Sequence, residues 1–130
     1  MIDFSLTDEH LMLEQTVREW AGREVAPRIG ELDREHRFDP KILTRMADLG
    51  LLGVCIPAEY GGAGMDYVSL GIASEELEYV DTSLRVIQSV HVGLNSLSLL
   101  TWGTEAQKQK YLVPQAKGEK IATFGLTEPA

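Results

Sequence analysis

The sequence predicts an all-α domain that runs into the first strand of a β domain at its end. Apolar residues recur at three- and four-residue spacing up to about residue 116, in stretches opened by Thr or Asp capping residues. Residues that favour a strand cluster only at the end, where Ile121, Thr123 and Phe124 precede Pro129. The balance of 44% apolar and 25% charged residues is that of an ordinary folded domain, and 130 residues suffice for one core.

The first helix is expected after Ser5-Leu6-Thr7, with Thr7 as the cap and Asp8 and Glu9 at the positive end of the helix dipole. Leu6, Leu13, Val17, Trp20 and Val25 give its apolar face, and Leu11 and Met12 widen it. Pro27 should kink or restart the helix, with Ile29 and Leu32 carrying the stripe toward Asp33. The second helix has Asp39 as cap, Pro40 in its first position and Ile42, Leu43, Met46 and Leu49 as its buried stripe, with Gly50 just past its end. A third helix is expected from Asp66 to about Tyr79, with Leu70, Ala73, Leu77 and Val80 facing inward. Glu75, Glu76 and Glu78 on that helix read as a solvated face, because neighbouring carboxylates without a well-spaced His make poor metal ligands.

The fourth helix should start near Asp81-Thr82-Ser83 and reach about Thr101. Val86, Val90, Leu94 and Leu97 mark one face, while Leu84, Ile87, Leu99 and Leu100 mark others. Such a helix is apolar almost all round, which predicts the most buried element of the domain. His91 has no Ser, Cys or Asp partner at a telling spacing and reads as a satisfied, partly buried histidine. The fifth helix opens with the capping box Thr104-Glu105-Ala106-Gln107. Tyr111, Leu112 and Ala116 should face inward, Pro114 should break or kink it, and Lys117-Gly118-Glu119-Lys120 should stop it.

Between the second and third helices, the apolar run Leu51–Ile56 leads into Pro57-Ala58-Glu59-Tyr60-Gly61-Gly62-Ala63-Gly64. Gly62-Ala63-Gly64 contains Gly-x-Gly, but Tyr67 stands where a dinucleotide fingerprint needs its third glycine. These glycines read as a tight connection instead. Cys55, the sole cysteine, lies in the apolar run and reads as a buried, inert thiol in a reducing compartment, cytoplasmic or matrix-like.

The net charge of −8 argues against phosphate-backbone binding by bulk electrostatics, so no nucleic-acid partner is expected. Met1-Ile2-Asp3-Phe4 lacks a signal-peptide layout, and no apolar run approaches a membrane span, so no membrane insertion is expected. An isolated strand at 121–130 leaves its N–H and C=O groups without partners. The chain therefore reads as the front of a larger protein, with a helical domain over 1–119 and the start of a β domain over 120–130.

Phe124-Gly125-Leu126-Thr127-Glu128-Pro129 resembles the flavin-contacting motif of the acyl-CoA dehydrogenases, which continues into a Gly-Ser-Asp turn. The likeness extends along the chain. It covers the Phe4-Ser5-Leu6-Thr7 start, Val25-Ala26-Pro27, the Pro-x-x-Tyr-Gly-Gly loop at 57–62, and Gly-Thr-Glu-x-Gln-Lys-x-Lys-Tyr-Leu at 103–112.

The resemblance implies an FAD-dependent enzyme that removes two hydrogens from the α and β carbons of an acyl-CoA thioester. It passes electrons to an electron-transfer flavoprotein and assembles as a homotetramer. It places Phe124, Leu126 and Thr127 along the flavin edge and the fourth helix along the acyl pocket. Members acting on glutaryl-CoA hold the distal carboxylate with an arginine, and Arg85 stands at the matching place. The small hydroxyl residue that usually follows is here Val86. A plain surface arginine paired with Asp81 or Glu78 is the competing reading. No glutamate here matches the family's catalytic base, so no catalytic residue is assigned, and residues 1–130 alone are expected to be inactive. An acyl-CoA oxidase, a flavin monooxygenase or a free-standing helical binding module would share much of this pattern.

Overall fold

The computed structural model describes residues 1–129. Five helical rods run between Asp8 and Ala116. The first joins α1 (Asp8–Trp20), a π-helical turn (Ala21–Val25) and α2 (Ala26–Arg34) without a break. Thr7 caps it as expected: its hydroxyl accepts the His10 N–H, and the His10 ring accepts the Thr7 N–H, both at 3.2 Å. Pro27 restarts the α-helix within the rod, as expected. It falls in the first turn of α2, and the widened turn before it makes room for a ring that would crowd the carbonyl four residues back.

The inward stripe of the first rod is His10, Leu13, Val17 and Trp20, continued by Ala21, Val25 and Leu32. Leu6, Leu11 and Met12 do not join it; they are 41%, 48% and 68% exposed. The stripe's phase is set by residues 10, 13, 17 and 20, and positions 11 and 12 turn away from it at 100° per residue. The second rod is α3 (Pro40–Asp48), capped by the Asp39 carboxylate accepting the Lys41 N–H at 3.0 Å. Ile42 and Met46 are buried, Leu43 and Leu49 half-buried, and Gly50 turns the chain at φ +74°.

Residues Leu51–Ile56 are all buried, yet form neither helix nor strand. Buried irregular backbone needs hydrogen-bond partners, and the glycine-rich loop returns to supply them. Ala63 donates to the Gly53 carbonyl, Gly64 to that of Ile56 and Met65 to that of Val54, each at 2.9 Å. The turn that brings the chain back passes through Gly61 at φ +85°. Gly62 is needed for space: a Cβ there would lie 2.0 Å from the Ile56 carbonyl oxygen.

The third rod is α4 (Tyr67–Val80), with Asp66 as its cap. The fourth joins α5 (Thr82–Gln88), a π-helical segment (Ser89–Ser96) and α6 (Leu97–Trp102), capped by Asp81. The fifth joins α7 (Glu105–Gln107), a π-helical turn (Lys108–Leu112) and α8 (Val113–Ala116), and opens with the expected Thr104–Gln107 box. α1 lies along α4, α4 along α5, and the fifth rod along the fourth. The main core centres on Val17, Met46, Leu51, Leu52, Leu77 and Leu84; a smaller cluster joins Ile56, Leu112 and Ala116.

Three further expectations are not met among the described residues. The fourth rod is not buried all round. Its inward residues are Leu84, Gln88, His91, Val92 and Ser96, while Val86 and Leu94 are 40% and 48% exposed. Tyr111 faces outward rather than inward, at 40% exposure. Residues 121–129 form no strand, since no other strand exists among the described residues to pair with them. Ala130, the last residue of the expected strand, lies outside the described residues.

Candidate functional site

The fourth rod carries its polar residues inward and much of its apolar surface outward. Inside, Gln88 is fully buried and bridges two elements. Its amide donates to the Leu51 carbonyl at 3.1 Å and accepts from the Ser74 hydroxyl at 3.0 Å. The buried Ser96 hydroxyl lies 3.0 Å from the His91 carbonyl and 3.1 Å from Gln115 Oε1. These bonds satisfy groups that would otherwise be costly to bury, and they fix which side of the rod faces in.

His91 is the hub of this inner face. It is fully buried, more so than the sequence indicates, and both ring nitrogens are satisfied. Nε2 lies 3.0 Å from the Gln115 carbonyl oxygen, and Nδ1 lies 3.0 Å from the Ala122 backbone nitrogen. A carbonyl only accepts and a backbone N–H only donates, so the ring is neutral with its proton on Nε2. Burial pushes its pKa below the ordinary imidazole value, against the pull of the Gln115 and Leu52 backbone groups.

Outside, a groove of about 480 Å³ runs between the fourth and fifth rods and reaches Phe124. Leu94, Ser98, Trp102 and Tyr111 line it with Phe124, and no carboxylate does. Trp102 is 85% exposed, Phe124 54% and Leu126 75%. Thr127 is exposed beside them. Neighbouring apolar exposure of this kind marks an interaction surface rather than a finished exterior. Phe124, Leu126 and Thr127 thus sit on one short segment, and Phe124 lines the groove.

Arg85 and Val86 lie in α5, the first part of the same rod. Arg85 Nε donates to Glu78 Oε2 at 2.7 Å, the partner expected for a surface arginine. That pairing holds Glu78 below the usual carboxylate range, with help from the Thr82 hydroxyl. Glu75 and Glu78 are solvated, but Glu76 is not. It is 7% exposed and accepts two hydrogen bonds from Arg18, at 3.0 Å from Nε and 2.6 Å from Nη2. This forked pair ties α1 to α4, and its carboxylate raises the Arg18 pKa.

His10, Asp66 and Ser69 form a similar clasp at the other end of these helices. His10 Nε2 lies 2.9 Å from Asp66 Oδ2, and the Ser69 N–H and hydroxyl both donate to Asp66 at 2.8 Å. The Asp66 carboxyl is held down to about 2, first by the Ser69 backbone and then by its hydroxyl. Among the described residues no group of His, Cys, Asp and Glu is arranged to hold a metal ion. Cys55 is buried, and burial pushes its thiol up, as expected of an inert cysteine. Among the described residues no helix is long and apolar enough to cross a membrane.

His91 is buried and satisfied as the sequence indicates, but its partners, and the inward roles of Gln88 and Glu76, were not foreseen by pattern reading. The one available signal was that the fourth rod offers polar residues 88, 91 and 96 at helical spacing within an apolar stretch.

Residues 7–119 match the family described as acyl-CoA dehydrogenase, N-terminal domain. The short-chain specific acyl-CoA dehydrogenase of Clostridium acetobutylicum is 48% identical over 98% of this chain and 34% of its own length. A chain in a structure described for the electron transferring flavoprotein of Acidaminococcus fermentans aligns with a TM-score of 0.94 and 41% identity, over 99% of this chain and 34% of that one. Butyryl-CoA dehydrogenase from Megasphaera elsdenii aligns with a TM-score of 0.93 and 34% identity, over 98% of this chain and 34% of that one. The chain thus spans about a third of the length of these relatives. The family match runs through all five rods and the identity holds from end to end, so the chain belongs to the acyl-CoA dehydrogenase family, as its N-terminal helical domain.

Proposed function

We propose that these residues are the front part of an FAD-dependent acyl-CoA dehydrogenase that desaturates an acyl-CoA thioester between its α and β carbons. The helical domain occupies 1–119, and 120–130 begin a β domain. The observation that carries the reading is the outward apolar groove of the fourth and fifth rods, reaching Phe124. A saturated acyl chain is apolar and needs such a wall, which excludes water from the reacting carbons.

The residues at 124–127 fit a flavin edge. Phe124 and Leu126 offer exposed apolar contact, and the backbone N–H groups of 123–128 make no hydrogen bond among the described residues. Free N–H groups beside a flavin ring favour its electron-rich form, each by about 1.5–3 kcal/mol when the acceptor is charged. The chemistry that FAD supplies when bound is acceptance of the β hydrogen as hydride. Thr127 would place its hydroxyl near the reactive nitrogen. No carboxylate lines the groove, which supports a catalytic base contributed from outside residues 1–130. These residues alone therefore have no dehydrogenase activity; turnover by a purified piece ending at Ala130 would refute that.

Arg85 and Val86 would meet the far end of the substrate: they lie earlier on the same rod and do not line the groove itself. Only Arg85 Nε is engaged by Glu78; its two Nη groups have no partner among the described residues. That leaves a fork of donors for the distal carboxylate of a dicarboxylic acyl-CoA. If Arg85→Ala in the full protein leaves the ratio of glutaryl-CoA to butyryl-CoA activity unchanged, the clamp is wrong. Electrons would leave to an electron-transfer flavoprotein. The full chain would assemble as a homotetramer in a cytoplasmic or mitochondrial-matrix setting.

The test is an oxygen-free titration of the full-length protein with a panel of saturated acyl-CoAs. A yellow protein bleached by one of them is expected. A protein that stays colourless after FAD is supplied would overturn the reading.

A further inference from the structure

Residues 121–129 have a single hydrogen bond to the helical body among the described residues, from the Ala122 N–H to His91 Nδ1 at 3.0 Å. Before it, the Lys117–Lys120 turn is closed by bonds back to Val113, Pro114 and Gln115. After it, residues 123–129 are exposed. One imidazole thus sets where this segment leaves the domain. The ring itself is held at its far side by the Gln115 carbonyl, and Ser96 bonds near both the His91 carbonyl and the Gln115 side chain. His91 and Ser96 at the centre of this network are buried, which shields its inner bonds from water.

We propose that His91 is a positioning residue that aims the segment carrying Phe124, Leu126 and Thr127 at its cofactor. The part concerning the cofactor rests on the reading given under Proposed function. Ala122 is two residues before Phe124 and five before Thr127, so an error in its placement passes directly to them. Ordinary core packing would not need a ring that accepts on one nitrogen and donates on the other. An apolar residue would fill the space without carrying two buried polar atoms. The ring's neutrality, which burial favours, keeps the accepting lone pair on Nδ1 available.

Amide substitutions separate the two nitrogens. In His91→Asn the side-chain oxygen falls where Nδ1 was and keeps an acceptor for Ala122. In His91→Gln the side-chain amide reaches where Nε2 was and keeps the donor to Gln115, but loses the acceptor for Ala122. His91→Leu loses both. The experiment is hydrogen–deuterium exchange of the 121–127 amides in the full-length protein, read beside FAD affinity by fluorescence titration. We expect the Ala122 amide to exchange at least about fivefold faster in His91→Gln than in His91→Asn, the loss of one hydrogen bond. FAD should bind more weakly in the same order, with His91→Leu at or beyond His91→Gln.

Equal exchange in His91→Asn and His91→Gln would overturn the proposal, even if His91→Leu fails to fold. Faster exchange with unchanged FAD affinity across the three would also overturn it, since the segment would then be docked but not aimed. A wild-type protein that binds no FAD would refute the flavin reading instead, a result visible before any variant is made.

Discussion

Gly62→Ala isolates the structural purpose of the glycine-rich loop. A Cβ built on Gly62 lies 2.0 Å from the Ile56 carbonyl oxygen and 2.6 Å from Ile56 Cβ. Ordinary contact distances are about 3.5–4.0 Å, so one strand of backbone must move by over about 1 Å. Neither neighbour gives easily. Ile56 is fully buried, and its carbonyl accepts the Gly64 N–H at 2.9 Å. Overpacking of this kind costs about 1–3 kcal/mol, and losing the Gly64 bond adds about 0.5–1.5 kcal/mol. The expected destabilisation is therefore about 2–4 kcal/mol.

Gly71→Ala is the matched control. Gly71 is exposed within α4, and its Cβ would meet nothing within 4 Å, so the change should stabilise by about 0.5–1 kcal/mol. Urea unfolding followed by far-ultraviolet circular dichroism measures both. With an m-value of about 1–3 kcal/mol per molar, Gly62→Ala should lower the midpoint by at least about 0.7 M at unchanged slope. A Gly62→Ala protein within about 0.5 kcal/mol of its parent would refute the steric account and reopen a ligand-facing purpose for these glycines.

Other outcomes follow from the two clasps between α1 and α4. Arg18→Ala and Glu76→Gln should each destabilise the protein, and the double variant should cost less than the sum, because both remove one forked pair; strict additivity in urea unfolding would refute the pairing. Asp66 titrates at about 2 in the folded protein and at 3.8 when unperturbed, so between those values the unfolded chain binds the extra proton. The stability that Asp66 contributes is then complete above its unfolded value and lost as pH falls through about 2. Acid titration of the parent and Asp66→Asn should give curves that are apart above pH 3.8 and converge near 2; parallel curves throughout would refute it.

The rods were legible because their ends are written in local chemistry. Thr7, Asp39 and Thr104 cap as their side chains demand, and Gly50 ends α3 as expected. What pattern reading lost was the facing of the fourth rod. Hydropathy assigns Val86, Val90 and Leu94 to the core, but the polar side chains of Gln88, His91 and Ser96 have matched partners on other elements. Such partners come from residues 14 to 37 positions away, beyond the reach of a helical window. The π-helical segment Ser89–Ser96 compounds the error, because an extra residue per wide turn shifts the phase of everything after it. The segment at 124–127 was legible as a motif, whereas its anchor at His91 was not, since a histidine without a nearby partner gives no sign of which backbone it will meet. Glu76 was hidden the same way: its two neighbours in type, Glu75 and Glu78, are solvated, and only Arg18, 58 residues earlier, marks it out.

The buried run Leu51–Ile56 bears on the order in which the chain assembles. Its ties to Ala63, Gly64 and Met65 span 8 to 11 residues, a loop short enough to close in about 10–100 ns. Closing it requires little chain entropy compared with bringing α1 against α4. A compact knot can therefore form early, presenting Leu51, Leu52 and Ile56 as a ready apolar seed. The helices on either side can then condense onto it, so a contact set able to close early and the middle of the finished domain share the same fifteen consecutive residues, 51–65.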